Sequence, residues 1–303
     1  MLNPQVAFST GSLRQRKIAS WCWPFSHDKD RGCPGFRFHS SGRHFVGPTS
    51  DYCLTADKPS RSTVRARCRL SSGGHAELWP SDMRRKVIAE LLDDDSGTTA
   101  EIAAALADLR RINDWFGGTR TTIALLRRVA RTTACRQFSV LEVGAGAGDV
   151  PLAAQRALAR EGIELRIRLM DRVWSHLPGG GAASITGDAL HLPFRDDAFD
   201  VVSCSLLAHH FEPDGVQRFA REALRVCRRA VLINDLIRSR LHLGLVYLGL
   251  PLFRSGITWH DAPASVRRAY TLDEMRELLS HLPAPRIEMS RRYLYRMGVL
   301  VWK

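Results

Sequence analysis

The sequence predicts a doubly wound α/β protein, a parallel sheet with helices on both faces. Two observations carry that expectation. Residues 140–149 read Val-Leu-Glu-Val-Gly-Ala-Gly-Ala-Gly-Asp, an apolar strand that runs into a turn with glycines at 144, 146 and 148. Downstream of it, short apolar runs alternate with segments of helical periodicity, the pattern of βα units around a parallel sheet. Glycine admits backbone angles closed to other residues and lets a ligand approach the main chain. The turn between strand and helix therefore reads as a cofactor cradle.

Each element can be justified in order. Met83–Leu92 carries apolar residues at helical spacing, and Asp93-Asp94-Asp95-Ser96-Gly97 breaks the pattern. Thr99–Asn113 is expected as a helix with Ile102, Leu106, Leu109 and Ile112 on one stripe. Thr99 followed by the acidic Glu101 suits its start. Trp115-Phe116-Gly117-Gly118 reads as a turn before a helix over Thr119–Arg131. Beyond the glycine turn a helix is expected over Val150–Glu161, then a strand at Leu165–Leu169 that leads to Asp171. Phe199–Leu207 is another apolar strand, with His209-His210-Phe211 just past its end. Asp214–Arg229 is amphipathic, and Ala230–Ile233 is a strand ending at Asn234-Asp235. Thr271-Leu272-Asp273-Glu274 is a capping box that opens a helix ending near His281. Arg286–Met289 and Val299–Trp302 read as two closing strands.

The cradle has the spacing G-x-G-x-G with Glu142 two residues ahead, whereas the dinucleotide fingerprint is G-x-G-x-x-G. Asp171 stands roughly 20 residues beyond it, at a strand end, where a carboxylate suits two ribose hydroxyls. Thr186-Gly187-Asp188-Ala189-Leu190-His191-Leu192-Pro193-Phe194 follows, and then the strand that precedes His209. In order and spacing these four segments resemble class I S-adenosylmethionine (SAM)-dependent methyltransferases. His209-His210-Phe211 resembles the His-His-Phe of ubiquinone- and menaquinone-biosynthesis-like members. The resemblance spans about residues 80–303. It implies a Rossmann-like seven-stranded sheet with helices on both faces, preceded by N-terminal helices. It implies that Glu142, Gly144, Ala145, Gly146 and Gly148 hold the methionine part of SAM, and that Asp171 holds the ribose. Asp188 and Ala189 would hold the adenine, with Arg172 and Ser205 also at the cofactor, and S-adenosylhomocysteine would be the product. The chain departs from the family at Gly179-Gly180-Gly181, where a regular helix is usual.

Methyl transfer is a displacement at a methyl carbon, so the enzyme must align and desolvate the nucleophile. A base is needed only when the nucleophile must lose a proton, and histidine titrates in the useful range. His210 is the first candidate beside the nucleophile, His209 the second and His260 the third, the last because Asp261 adjoins it. The greasy insertion Leu241–Thr258 reads as a lid over a lipophilic pocket or a shallow membrane contact, the alternative being a buried helix packed on the sheet. Together these readings point to O- or C-methylation of a hydrophobic phenol or quinol by a monomer or weak dimer. The rivals are an NAD(P)-dependent oxidoreductase and a SAM-binding protein without catalysis.

The formal charge of +13 is carried mostly by arginine, with only five lysines among the 44 basic residues and no long basic block. That bias reads as a solvated basic surface, and no nucleic-acid partner is expected. Seven scattered cysteines, none in C-x-x-C and none at zinc-site spacing with a histidine, suggest reduced thiols in the cytoplasm and no metal site. Residues 1–79 are rich in Ser, Arg, Gly and Pro and show no sustained periodicity. They are expected to be either a disordered extension or residues upstream of a true start at Met83, with the domain at 80–303.

Overall fold

A computed structural model describes residues 83–178, 184–284 and 286–303. The expectations for residues 1–79 and for Gly179-Gly180-Gly181 lie outside the described residues. Seven strands form one sheet: β1 (Gln137–Val143), β2 (Glu164–Asp171), β3 (Ser184–Thr186), β4 (Phe199–Ser205), β5 (Cys227–Leu236), β6 (Arg286–Arg292) and β7 (Arg296–Trp302). Their order is β3-β2-β1-β4-β5-β7-β6. The first five pair in parallel, and β7 inserts antiparallel between β5 and β6. This is the seven-stranded α/β architecture that the sequence predicts.

The apolar strands are buried on both faces because successive side chains point to opposite sides. Val201, Ala230, Leu232 and Leu300 meet one core cluster, shared with Leu125, Leu126 and Val129 of α2 (Gly118–Thr133) and Ala154 and Leu158 of α3 (Asp149–Ala159). Their neighbours Val202, Val231, Ile233 and Val299 meet the other. That cluster includes Val216 and Phe219 of α4 (Pro213–Val226) and Met275 and Leu279 of α7 (Leu272–Ser280). Cys135, Cys204 and Cys227 are buried and form no disulfide.

Helix α6 (Gly256–Arg268) packs against both α1 (Thr99–Trp115) and α5 (Arg240–Gly249). Thr271 and Glu274 form the expected capping box on α7. On α1 the box is made by Thr98 and Glu101, so the cap falls one residue earlier than the sequence suggests.

Met83–Leu92 is not a helix. Residues 83–90 have no regular structure, and only a short 3-10 turn forms at Leu92–Asp94. Long-range partners take the groups that a helix would have paired. The amide of Lys86 donates to the carbonyl of Arg267. The amides of Leu91 and Leu92 donate to the two carboxylate oxygens of Asp261, at 2.8 and 3.0 Å. Arg238 donates to the carbonyl of Met83, and Arg85 donates to the carbonyls of Arg268, His209 and Phe211. The segment is thus an arm clamped across the molecule.

The insertion is not a buried helix either. It forms α5, a short turn at Leu250–Leu252 and the start of α6, and α5 buries none of its residues. No helix among the described residues is long and apolar enough to cross a membrane.

Candidate functional site

A cavity of about 810 Å³ opens at the carboxyl ends of β1, β2, β4 and β5. β1 lies between β2 and β4, the point where strand order reverses and where open α/β sheets bind their ligands. Every candidate named from the sequence lines this cavity except Gly148 and His260.

The floor is the glycine turn. Gly144, Gly146 and Gly148 all have positive φ, between 50° and 73°. A Cβ on Gly148 would sit 2.7 Å from a terminal methyl of Leu169, and its left-handed φ of 73° favours glycine there. A Cβ on Gly146 would meet no protein atom within 4 Å, so this glycine keeps the floor of the cavity clear. The amide of Gly146 donates to Asp171 at 2.8 Å, and the other carboxylate oxygen of Asp171 accepts from Val173 at 3.0 Å. The strand-end acid is thereby locked to the loop, and a carboxylate retains capacity for further donors.

Glu142 is fully buried in β1, and neither of its carboxylate oxygens has a hydrogen-bond partner. Burial pushes its carboxyl up to about 7, tempered by Ser203 and Ser205 on β4. A buried orphan carboxylate that lines a cavity suits a cationic group of a ligand. Asp188 is exposed and accepts from the amide of Leu190 and from the His191 ring. Arg172 is exposed and donates to the carbonyl of Asp93. The Ser205 hydroxyl lies 3.5 Å from that of Thr122.

The cavity is also lined by a cluster of histidines and carboxylates. His209 is buried, and its Nδ1 lies 2.6 Å from Asp235 on β5. Its Nε2 faces Glu90 at 3.5 Å. Burial alone would hold the His209 imidazole low, but Asp235 and Glu90 on either side push it up to about 10. The Nδ1 of His210 lies 2.8 Å from Asp93, and its Nε2 lies 3.9 Å from Glu90. Arg268 closes the cluster, 3.6 Å from Asp93 and 3.9 Å from Glu90. Glu90 and Asp93 come from the arm, and sequence reasoning missed both because nothing local marks them.

His260 is half-exposed on α6 and does not line the cavity, although Asp261, with which it pairs, does. Its neighbour does the structural work there, by holding the arm. Arg296, also unforeseen, is fully buried at the cavity wall. One of its guanidinium nitrogens donates to Asn113 and another has no partner. Burial, partly countered by Asp235, lowers it to about 10.

A glycine cradle, a strand-end acid locked to it and a cavity over the strand ends define a nucleoside-cofactor α/β protein. Within it, residues 141–233 match the family described as the methyltransferase domain. An uncharacterized methyltransferase, YcgJ of Bacillus subtilis (strain 168), is 33% identical over 104 residues. That alignment covers 33% of this chain and 40% of the relative. Among solved structures, the plantazolicin methyltransferase BpumL is 15% identical with a TM-score of 0.47, covering 67% of this chain and 96% of its own. Human N-acetylserotonin methyltransferase is 12% identical with a TM-score of 0.45, covering 65% and 54%.

The residues present fit SAM on this structure's own features, namely the open floor at Gly146 and the orphan carboxylate of Glu142. One consequence is testable directly. A Gly146→Val protein should fold with a penalty of about 1–2 kcal/mol for its left-handed backbone, read by urea denaturation. In calorimetric titration it should bind S-adenosylhomocysteine at least about tenfold more weakly, a loss of about 1.4 kcal/mol. Parental affinity would show that the middle glycine does not face the ligand.

Proposed function

We propose that this protein transfers a methyl group from SAM to a hydrophobic small molecule, a phenol or quinol, at oxygen or carbon. The observation that supports this reading is a single cavity lined by both the glycine cradle and the His209–His210 cluster. When bound, SAM supplies an electrophilic methyl group. The Gly144–Gly148 loop and Glu142 would hold its amino-acid end, Asp171 its ribose, and Asp188 and Ala189 its base, with Arg172 and Ser205 also at the cofactor. His210, oriented by Asp93, faces the acceptor. Burial of the cluster excludes water, and positioning of this kind is worth up to roughly 7–11 kcal/mol of barrier in favourable systems.

The lipophilic character of the acceptor is inferred from α5 and the turn after it. Leu245, Leu248 and Leu252 line the cavity while remaining exposed. Leu241 and Tyr247 on the same helix are exposed as well. An apolar rim of this size admits a greasy acceptor and supports peripheral contact with a membrane through residues 241–258 during its uptake.

The test is calorimetric titration of the full chain with S-adenosylhomocysteine and, separately, with NAD. It is followed by transfer of labelled methyl from SAM to a panel of alkylphenols and quinols. Micromolar binding of S-adenosylhomocysteine alone, with methylated product, is the expected result. Binding of NAD instead would favour an oxidoreductase, and binding of S-adenosylhomocysteine without product would favour a non-catalytic protein.

A further inference from the structure

We propose that Glu90, His209 and His210 form a binding site for one divalent first-row transition cation, in the lining of the cavity. The ligand atoms of the three residues all lie within 4.8 Å of one another. Glu90 divides its carboxylate between the two rings, with Oε1 3.5 Å from the Nε2 of His209 and Oε2 3.9 Å from the Nε2 of His210. Around a tetrahedral ion with bonds of about 2.0–2.2 Å, neighbouring ligand atoms stand about 3.4 Å apart. The two contacts to Glu90 are therefore close to coordination distances.

Three features distinguish this arrangement from a chance cluster of polar groups. First, both imidazoles are buttressed at Nδ1 by a carboxylate, His209 by Asp235 at 2.6 Å and His210 by Asp93 at 2.8 Å. This is the carboxylate–histidine pairing that orients metal-bound imidazoles and leaves Nε2 as the ligand atom. Second, the Nε2 of His209 and the Oε1 of Glu90 are buried without any hydrogen-bond partner. Two groups that are expensive to bury unpaired thus face each other across a gap of the right width. Third, three carboxylates, Glu90, Asp93 and Asp235, face the ring nitrogens directly, whereas the guanidiniums of Arg268 and Arg85 reach carboxylates and backbone carbonyls.

Two imidazoles and one carboxylate suit zinc, iron, cobalt or nickel rather than magnesium or calcium, which prefer all-oxygen sites. Three protein ligands leave coordination positions open on the cavity side. Those positions would take an oxygen of the acceptor, so the ion would hold the phenol or quinol where His210 alone was placed above. That role rests on the methyl-transfer reading, whereas binding of the ion does not. The competing account is that His209 is a bridging imidazolium between Asp235 and Glu90, and it leaves no room for a metal.

The test is titration of the full, chelator-stripped chain with Co²⁺, followed by its visible d–d bands and by competition with Zn²⁺. S-Adenosylhomocysteine binding is measured on the same samples. The expected result is one Co²⁺ per chain, displaced by Zn²⁺. Glu90→Gln, which preserves shape, and His210→Ala should each weaken binding at least about tenfold. Asp93→Asn should weaken it about 10–100-fold, and His281→Ala, on an exposed residue outside the cluster, should leave it unchanged. Circular dichroism of each variant establishes that it is folded. Absence of the bands, or bands that persist in Glu90→Gln and His210→Ala, would overturn the proposal. If S-adenosylhomocysteine still binds in that case, only the metal site falls. If folded protein binds neither, the methyl-transfer reading falls as well.

Discussion

Glu142→Gln is expected to stabilise the ligand-free protein at pH 8 by about 3 kcal/mol and at the same time to weaken its affinity for S-adenosylhomocysteine. The stabilisation follows from linkage. Burial raises the Glu142 carboxyl from 4.5 to about 7. Between those values the folded chain retains a proton that the unfolded chain has released. Stability therefore falls by about 1.4 kcal/mol for each step of one in pH across this window, and it levels off above about 7. Glutamine has no proton to lose, so the difference between the two proteins should be near zero below pH 4.5 and fully developed at pH 8. For a domain of this size it corresponds to roughly 6–12 °C in melting temperature. The binding loss has the same origin with opposite sign. A ligand ammonium gives the buried carboxylate its missing partner, and a hydrogen bond to a charged group contributes about 1.5–3 kcal/mol. Affinity should therefore drop about tenfold to a hundredfold. Melting curves at pH 4.5 and pH 8, with and without S-adenosylhomocysteine, measure both effects. A glutamine variant no more stable than the parent at pH 8 would mean that the carboxylate is already paired.

The contrast between the glycine cradle and the histidine cluster shows what could be read from the sequence. The cradle is local. A strand, three glycines and a following helix lie within 137–159, and each announces itself by composition or spacing. The parallel strands were legible for the same reason, since residues such as Val201 and Val202 face opposite cores and make both neighbours apolar. Boundaries shifted where tertiary pairing decided them. β5 starts at Cys227, inside the segment expected as helix, because β4 extends the ladder there by pairing Phe199 with Cys227. The histidine cluster is assembled across long separations. Asp93 is 117 residues from the His210 it orients, so no spacing rule could have paired them, and Glu90 was hidden within a segment of helical periodicity. Periodicity failed there because the arm's backbone finds partners on α6 and near the end of β5. His260-Asp261 misled for a related reason. Neighbours on a helix point in different directions, and here Asp261 turns inward to the arm while His260 turns outward.

The arm gives the second large prediction. Asp261→Ala should cut methyl transfer by two orders of magnitude or so while leaving S-adenosylhomocysteine affinity close to the parental value. The Asp261 carboxylate accepts two adjacent backbone amides, those of Leu91 and Leu92. Each charge-assisted bond is worth about 1.5–3 kcal/mol, and together they fix the chain on either side of Glu90 and Asp93. Alanine leaves both amides without a partner at a half-buried position, and the local backbone must move to find water. The tethers made by Arg85, by Arg238 at Met83 and by the Lys86–Arg267 backbone bond lie upstream of Glu90 and would still hold the start of the arm. Asp93 would keep its contacts to His210, Arg268 and Arg172, but the backbone clamp that sets the register of the two acids would be gone. Displacement of a catalytic group by about 1 Å can cost about a hundredfold in rate, whereas the glycine loop, Glu142 and Asp171 belong to the sheet and do not depend on the arm. The split between rate and cofactor affinity is thus the diagnostic. Equal losses in both would mean that Asp261 supports the whole fold, and an unchanged rate would mean that the acids of the arm take no part in the chemistry. His260→Ala, which removes the ring but leaves the clamp, should change the rate little, in contrast to the expectation raised by its position beside an acid in the sequence.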